Sequence, residues 1–289
     1  MCVAKRSGRG HAIYDPEKDE HTVGRLAMVG ELRRALERRE LVLHYQPQVR
    51  LRTGNVTSVE ALLRWQHPDR GLVPPDEFIP VAETSGLMEH LARYVIDEAL
   101  RQCHDWRRLG RDLDVAVNIS TRNLIDAAFP VDVEALLEKW RVPPDRLTLE
   151  ITERTVLAEP FRAKAVLEQL SQLGLRLSID DFGTGYSSLA YLRRLPLDEI
   201  KIDRSFIHAM TSDHENAVIV RSTIDLARNL GLEVVAEGIE TSEIYETLVH
   251  LGCDAAQGYH MSRPLPPGDL LGWLEQWTAT RLDERAESS

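Results

Sequence analysis

The chain has 289 residues, 43% of them apolar and 28% charged, a composition that fits a globular protein of one large domain or two ordinary ones. Its net charge of −11 argues against a broad nucleic-acid-binding surface, and leaves room for a small phosphorylated ligand only if metal ions supply positive charge locally. No apolar run approaches the ~20 residues of a membrane span, no signal-peptide core opens the chain, and Cys2, Cys103 and Cys253 lack metal or disulfide spacing, which suits a reducing cytoplasm.

Residues 1–24 are polar and rich in charge and glycine, and read as a linker or the tail of an upstream unit. A helical pattern follows, with Leu26, Val29, Leu32 and Leu36 apolar at helical spacing. Strands are expected at Leu41–Tyr45, Val56–Trp65, Asp114–Ser120, Arg146–Thr152, Arg176–Asp181, Glu199–Asp203, Glu233–Glu237 and Ala255–Tyr259. Helices fall between most of them, among them Leu87–Leu109, Phe161–Leu173 and Ala217–Leu230. The pair Leu-Gly closes four helical patterns, at Leu109-Gly110, Leu173-Gly174, Leu230-Gly231 and Leu251-Gly252, where glycine takes the left-handed conformation that ends a helix. About eight strands in about 240 residues predict an α/β fold, a (β/α)8 TIM-like barrel. The connection Leu51–Asn55 is too short for a helix, so one strand near the start must be antiparallel. An open doubly wound sheet is the alternative. Trp273 and Trp277 are expected to pack the last helix onto the barrel, and residues 279–289 form a charged tail expected to fray.

The strand ends carry the chemistry. Asp180 and Asp181 are adjacent where a strand runs into Phe182-Gly183-Thr184-Gly185. Paired carboxylates repel by roughly 4 kcal/mol at 4 Å and an effective dielectric near 20. Such a pair calls for cations or a shared proton. Other strand ends supply Glu60, Asn118, Glu150, Glu153, Lys201, Glu237 and Gln257. In a barrel these converge on one mouth. Oxygen donors without Cys or a clear His suit Mg²⁺ or Mn²⁺, and several carboxylates around a shared aspartate suit a pair of ions acting on a phosphate. Taken singly, each residue has a structural reading as a cap or an ion pair; jointly, those readings would need many coincidences. Paired carboxylates acting on a sugar would leave Asn118 and Lys201 without roles.

Together the motifs resemble the EAL domain, a family of cyclic-di-GMP phosphodiesterases, over residues 25–278. Glu60-Ala61-Leu62 is the naming motif. Asp180–Leu189, Lys201–Phe206, Ala236–Thr241, Gln257-Gly258-Tyr259 and Arg263–Pro266 match as well. The resemblance implies that Glu60, Asn118, Glu150 and Asp180 hold one metal, and that Asp180 bridges to a second beside Asp181 and Glu237. It implies that Lys201 polarises the attacking water, that Gln257 supports a metal-bound water, and that Glu153 braces the loop after Asp181. Arg64 would meet a substrate phosphate, and Gln46 and Leu63 would line the nucleotide pocket. The implied reaction opens cyclic-di-GMP to linear pGpG, with Ca²⁺ inhibitory. The implied assembly is a homodimer through the loop after Asp181 and its adjoining helix, without contact to DNA or membrane. No implied position departs from the family pattern; a receptor that binds the nucleotide without cutting it is the alternative. Val3–Gly10 and Tyr14-Asp15 resemble the end of a GGDEF domain, which implies a cytoplasmic segment of a longer protein with GGDEF and sensor domains upstream, membrane-anchored or not.

Overall fold

Alternating apolar residues build nine strands: β1 (Leu41–Arg50), β2 (Val56–His67), β3 (Gly71–Val73), β4 (Asp114–Asn118), β5 (Leu147–Thr152), β6 (Arg176–Phe182), β7 (Glu199–Ile202), β8 (Glu233–Ala236) and β9 (Ala255–Ala256). They are seen in a computed structural model that describes residues 16–185 and 189–287. Hydrogen bonding runs in the order β1-β9-β8-β7-β6-β5-β4-β2, and a β1–β2 pairing closes the ring; β3 extends β2 as a hairpin. Strand β1 is antiparallel to both neighbours, and the remaining barrel pairs are parallel. The expected barrel with one antiparallel strand is the architecture observed.

The outward residues of the strands, Val59, Val115, Leu149, Leu177, Ile179 and Ile202, are fully buried beneath the helices. The helix Met88–Arg108 lays Leu91, Val95, Ile96, Ala99, Cys103 and Trp106 on this layer. Helices Pro160–Gln172 and His214–Leu230 sit close to their expected positions. The four glycines after leucine, Gly110, Gly174, Gly231 and Gly252, have φ of 75°, 92°, 73° and 72°, the left-handed stop. Trp273 and Trp277 stack at 5.3 Å, and Trp277 Nε1 donates to the Gly54 carbonyl, tying the last helix to the β1–β2 hairpin.

Strand β1 continues beyond the expected Tyr45, through Pro47 to Arg50. Odd positions of β1 bond toward β9: Tyr45 N donates to Leu265 O, and Leu51 N to Asp254 O. Pairing with β9 starts only at Val49, so the N–H that Pro47 lacks breaks no ladder bond. Two end regions also differ from expectation. The helix Pro16–Arg38 begins ahead of residue 25, and the helix Pro267–Glu287 runs through most of the segment expected to fray. Thr278–Glu287 is rich in Ala, Arg and Glu and holds no Gly or Pro to stop the helix. The motif at residues 3–10 and 14–15 lies outside the described residues. Among those described, no helix is long and apolar enough to cross a membrane.

Candidate active site

The inner face of the barrel is polar, and its two ends differ. Side chains alternate along a strand, so register decides which residues meet. Gln46 of β1 lies opposite Glu60 of β2, and Gln48 opposite Ser58. Asn118 pairs with Glu150, and Thr152 with Asp180. The C-terminal ends of the parallel strands and the N-terminal half of β1 thus form one mouth.

Lys201 is fully buried at its centre. Its Nζ lies 2.6 Å from Glu237, 2.9 Å from Glu150, 3.4 Å from Glu60 and 3.8 Å from Asp180. Asn118 Nδ2 donates to Glu60 Oε1 at 2.7 Å, and Gln257 Nε2 donates to Glu60 Oε2. One oxygen of Glu150, Oε2, is buried without a hydrogen-bond partner among the described residues.

Adjacent carboxylates would normally face opposite sides of a strand. Here the β6–β7 register shifts between Ile179 and Phe182, and Asp181 adopts φ of 55°. The bulge turns Asp181 back toward the mouth. Aspartate tolerates this conformation better than most residues. The Asp181 amide donates to Asp180 Oδ1 at 2.8 Å. Glu153, buried at the start of the helix Glu153–Ala158, accepts from the Gly183 amide at 3.2 Å. Its Oε1 would lie 2.6 Å from any Cβ at Gly185, so only glycine lets the loop pass this close. Glu153 therefore braces the turn after Asp181.

One ammonium shared among so many carboxylates leaves an excess of negative charge. Burial, then repulsion from Glu60, pushes the Glu150 carboxyl well above its usual range. Burial raises Glu237 to about 8 despite Lys201 beside it, and burial with Asp180 raises Asp181 to about 6. Glu60 goes the other way: against burial, the Lys201 charge and bonds from Gln257 and Asn118 hold its carboxyl low. Burial alone would neutralise Lys201, but Asp180, Glu150, Glu237 and Glu60 keep its ammonium well above the ordinary range. Among the described residues, no three His, Cys, Asp or Glu side chains converge as a ready metal cage. The Lys201 ammonium stands between them. The donor set nonetheless fits hard cations: it is all oxygen, over-charged, and holds one orphaned carboxylate oxygen.

A cavity of about 200 Å³ opens over this centre, lined by Gln46, Glu60, Leu62, Asp180, Glu237 and Gln257, with Arg204, His208 and Tyr259 at its rim. Leu63 is not where it was expected. It packs into the core at 8% exposure, and Leu62 lines the cavity instead, because period-two alternation places Leu62 on the face of Glu60. Arg64 shares that inward face and is half-buried, with its guanidinium on the Leu63 carbonyl at 2.8 Å. Sequence reasoning also missed Gln48 and the rim residues Arg204 and His208. Gln48 could have been found as the inward neighbour of Gln46 two residues along β1.

The EAL domain model matches residues 29–264. The chain is 44% identical over 273 residues to the bifunctional diguanylate cyclase/cyclic di-GMP phosphodiesterase MucR of Pseudomonas aeruginosa, covering 94% of this chain and 40% of that protein. It is 39% identical over 278 residues to the cyclic di-GMP phosphodiesterase PdeR of Escherichia coli, covering 96% and 42%. The chain thus spans about two fifths of the length of these relatives. A solved structure of the PaMucR phosphodiesterase in complex with c-di-GMP superposes with a TM-score of 0.81 at 46% identity, covering 84% of this chain and 99% of that one.

Proposed function

We propose that this chain, which belongs to the EAL domain family, hydrolyses cyclic-di-GMP to linear pGpG with the help of two divalent cations, Mg²⁺ or Mn²⁺. The observation that carries this reading is the ring of Glu60, Glu150, Asp180 and Glu237 around one buried ammonium, with Asp181 turned in beside it. The names of the similar proteins support the substrate.

Glu60, Asn118, Glu150 and Asp180 would hold one cation, and Asp180, Asp181 and Glu237 the other. When bound, such ions acidify water and neutralise charge on the phosphate. The chain's own groups do the rest. Leu62, Gln46 and Tyr259 offer an apolar wall, an amide and a ring to the nucleotide. Arg64 offers a guanidinium to a phosphate. Lys201 donates toward the negative charge that builds as water adds to phosphorus in line. The product pGpG keeps its phosphate at the 5′ end, so the bond that breaks is P–O3′, and that oxygen leaves with a proton. Lys201 needs freedom to serve this step, and cation binding among its carboxylates would supply it by taking over part of its ion pairs.

Glu153 would couple the turn after Asp181 to a homodimer contact formed by that loop and its adjoining helix. The greater length of the relatives, and the diguanylate cyclase in the name of MucR, support a GGDEF domain in a parent protein; sensor domains upstream are a further part of the proposal.

A product assay tests the reading: purified chain with cyclic-di-GMP in Mg²⁺, in Mn²⁺ and in EDTA, resolved by chromatography. Metal-dependent pGpG is the expected result. Saturable binding with intact nucleotide in every tube would replace it with a receptor role.

A further inference from the structure

Gln257 donates to Glu60, yet an amide side chain can turn over and present its oxygen instead. What fixes it lies one layer deeper in the barrel. Gln48 is 3% exposed, and neither the motifs nor the proposed chemistry gives it a role. Its Nε2 donates to Gln257 Oε1 at 3.1 Å, and Ser58 Oγ donates to Gln48 Oε1 at 2.6 Å. Gln257 Nε2 donates both to Glu60 Oε2 and to Gln46 Oε1, the latter at 2.9 Å. Gln46 Nε2 donates in turn to the Ser262 carbonyl at 3.0 Å.

The chain of bonds has a direction, and Glu60 sets it. An ionised carboxylate only accepts, so Gln257 must turn its NH₂ toward it. The Gln257 oxygen then points down and needs a donor, which only the NH₂ of Gln48 supplies among the bonds described. That in turn points the Gln48 oxygen at Ser58, whose hydroxyl rotates to donate. Gln48 and Ser58 sit opposite each other in the β1–β2 register, so the support stands on two paired strands rather than on a loop.

We propose that Gln48, backed by Ser58, is a positioning residue that locks the Gln257 amide in the orientation required at the Glu60 site; this rests on the hydrolytic reading above. A leucine at position 48 keeps the volume and removes the donor, leaving the Gln257 oxygen buried and unpaired. A carboxylate at 48 is worse, because it draws the Gln257 NH₂ downward and turns an oxygen against Glu60.

The test is a double-mutant cycle on Gln48→Leu and Gln257→Leu, read by turnover of cyclic-di-GMP and, separately, by calorimetric Mn²⁺ binding without nucleotide. Gln48→Leu should lower kcat about tenfold and weaken Mn²⁺ about tenfold, the usual scale for groups that orient a metal site, with KM held. The double variant should match Gln257→Leu alone to within about twofold, because Gln48 acts only through Gln257. Gln48→Glu should lose more than Gln48→Leu. Ser58→Ala, a milder change, should reproduce a fraction of the loss if Gln48→Leu fails to fold, and Ser58→Thr should restore it. Losses that simply multiply in the double variant, or a Gln48→Glu as active as Gln48→Leu, overturn the proposal. A parent chain without turnover defeats the hydrolytic reading and leaves the Mn²⁺ cycle to judge the positioning role; a parent that takes up no Mn²⁺ overturns both.

Discussion

Glu237 lets the charge excess at the mouth be measured without any turnover. Its carboxyl is raised from the ordinary 4.5 to about 8, first by burial, with Asp180 and Glu60 adding to it. A group raised in the folded state favours folding fully below its unfolded value and loses that contribution as pH climbs through the folded one. The window therefore runs from about 4.5 to about 8, and the metal-free fold weakens as pH rises across it. At 1.36 kcal/mol for each tenfold change in proton affinity, the ceiling is about 5 kcal/mol. Relaxation and salt reduce this, so we expect about 2–3 kcal/mol, or roughly 5–10 °C in Tm for a chain of this size. The perturbation is Glu237→Gln, which mimics the protonated carboxyl at any pH. The assay is thermal melting in EDTA from pH 5.5 to 9 for both chains. The two curves should lie closest at pH 5.5 and separate as pH rises, with the variant melting higher at pH 9. Saturating Mg²⁺ should reverse the order, because only the carboxylate gains a cation. Parallel curves in EDTA would refute the charge-excess account.

Lys201→Met strips the shared cation from Glu60, Glu150, Asp180 and Glu237. Urea melts in EDTA at pH 8 should show a loss of about 3–5 kcal/mol, shrinking at lower pH as Glu150 and Glu237 take up protons, and turnover should fall by about 10²–10³. Glu153→Ala frees the Gly183 amide and the close passage at Gly185; we expect kcat to fall about 10–100-fold, measured in steady state, with the melting curve little moved. Leu62→Ala should raise KM with kcat held, whereas Leu63→Ala should cost about 2–5 kcal/mol of stability with KM unchanged; kinetics and melts on the pair decide which leucine faces the nucleotide.

The strand alternation, the Leu-Gly helix stops and the polar strand ends were legible as sequence, and the barrel, the antiparallel start and the convergence of Glu60, Asn118, Glu150, Asp180, Lys201, Glu237 and Gln257 follow from them. What escaped depends on pairing that local pattern does not carry. Strand β1, expected to end at Tyr45, runs on to Arg50, and only the late start of β9 pairing makes Pro47 harmless within it. Ending the strand there hid Gln48. The face of Leu63 follows from the parity of Glu60 once β2 is known to be unbroken, a parity that the motif alone does not carry. The bulge that turns Asp181 inward is a register shift between two strands, invisible in either one alone.

The two ends of the barrel balance their charges differently. At the N-terminal end, Glu233 meets Arg50 at 3.0 Å and Arg176 at 2.6 Å, while Asp114 and Asp112 each meet Arg146 at 2.8 Å. Glu233 has two guanidiniums, and bonds from Arg50 with the charge of Arg176 hold its carboxyl low against burial; Asp114 and Asp112 share Arg146, and burial still raises Asp114. At the mouth, one ammonium serves four carboxylates, and burial drives two of them upward. A barrel selected for stability alone could have balanced both ends alike, since the same strands supply them. The mouth carries instead a deficit of positive charge around a fully buried ammonium. That deficit is what a divalent cation would fill, and it would weaken the hold on Lys201 where the ammonium is needed. On the proposed function, the four contacts that tie Lys201 into the metal-free fold are those that cation binding would loosen, so stability and catalysis at this end would draw on one set of carboxylates.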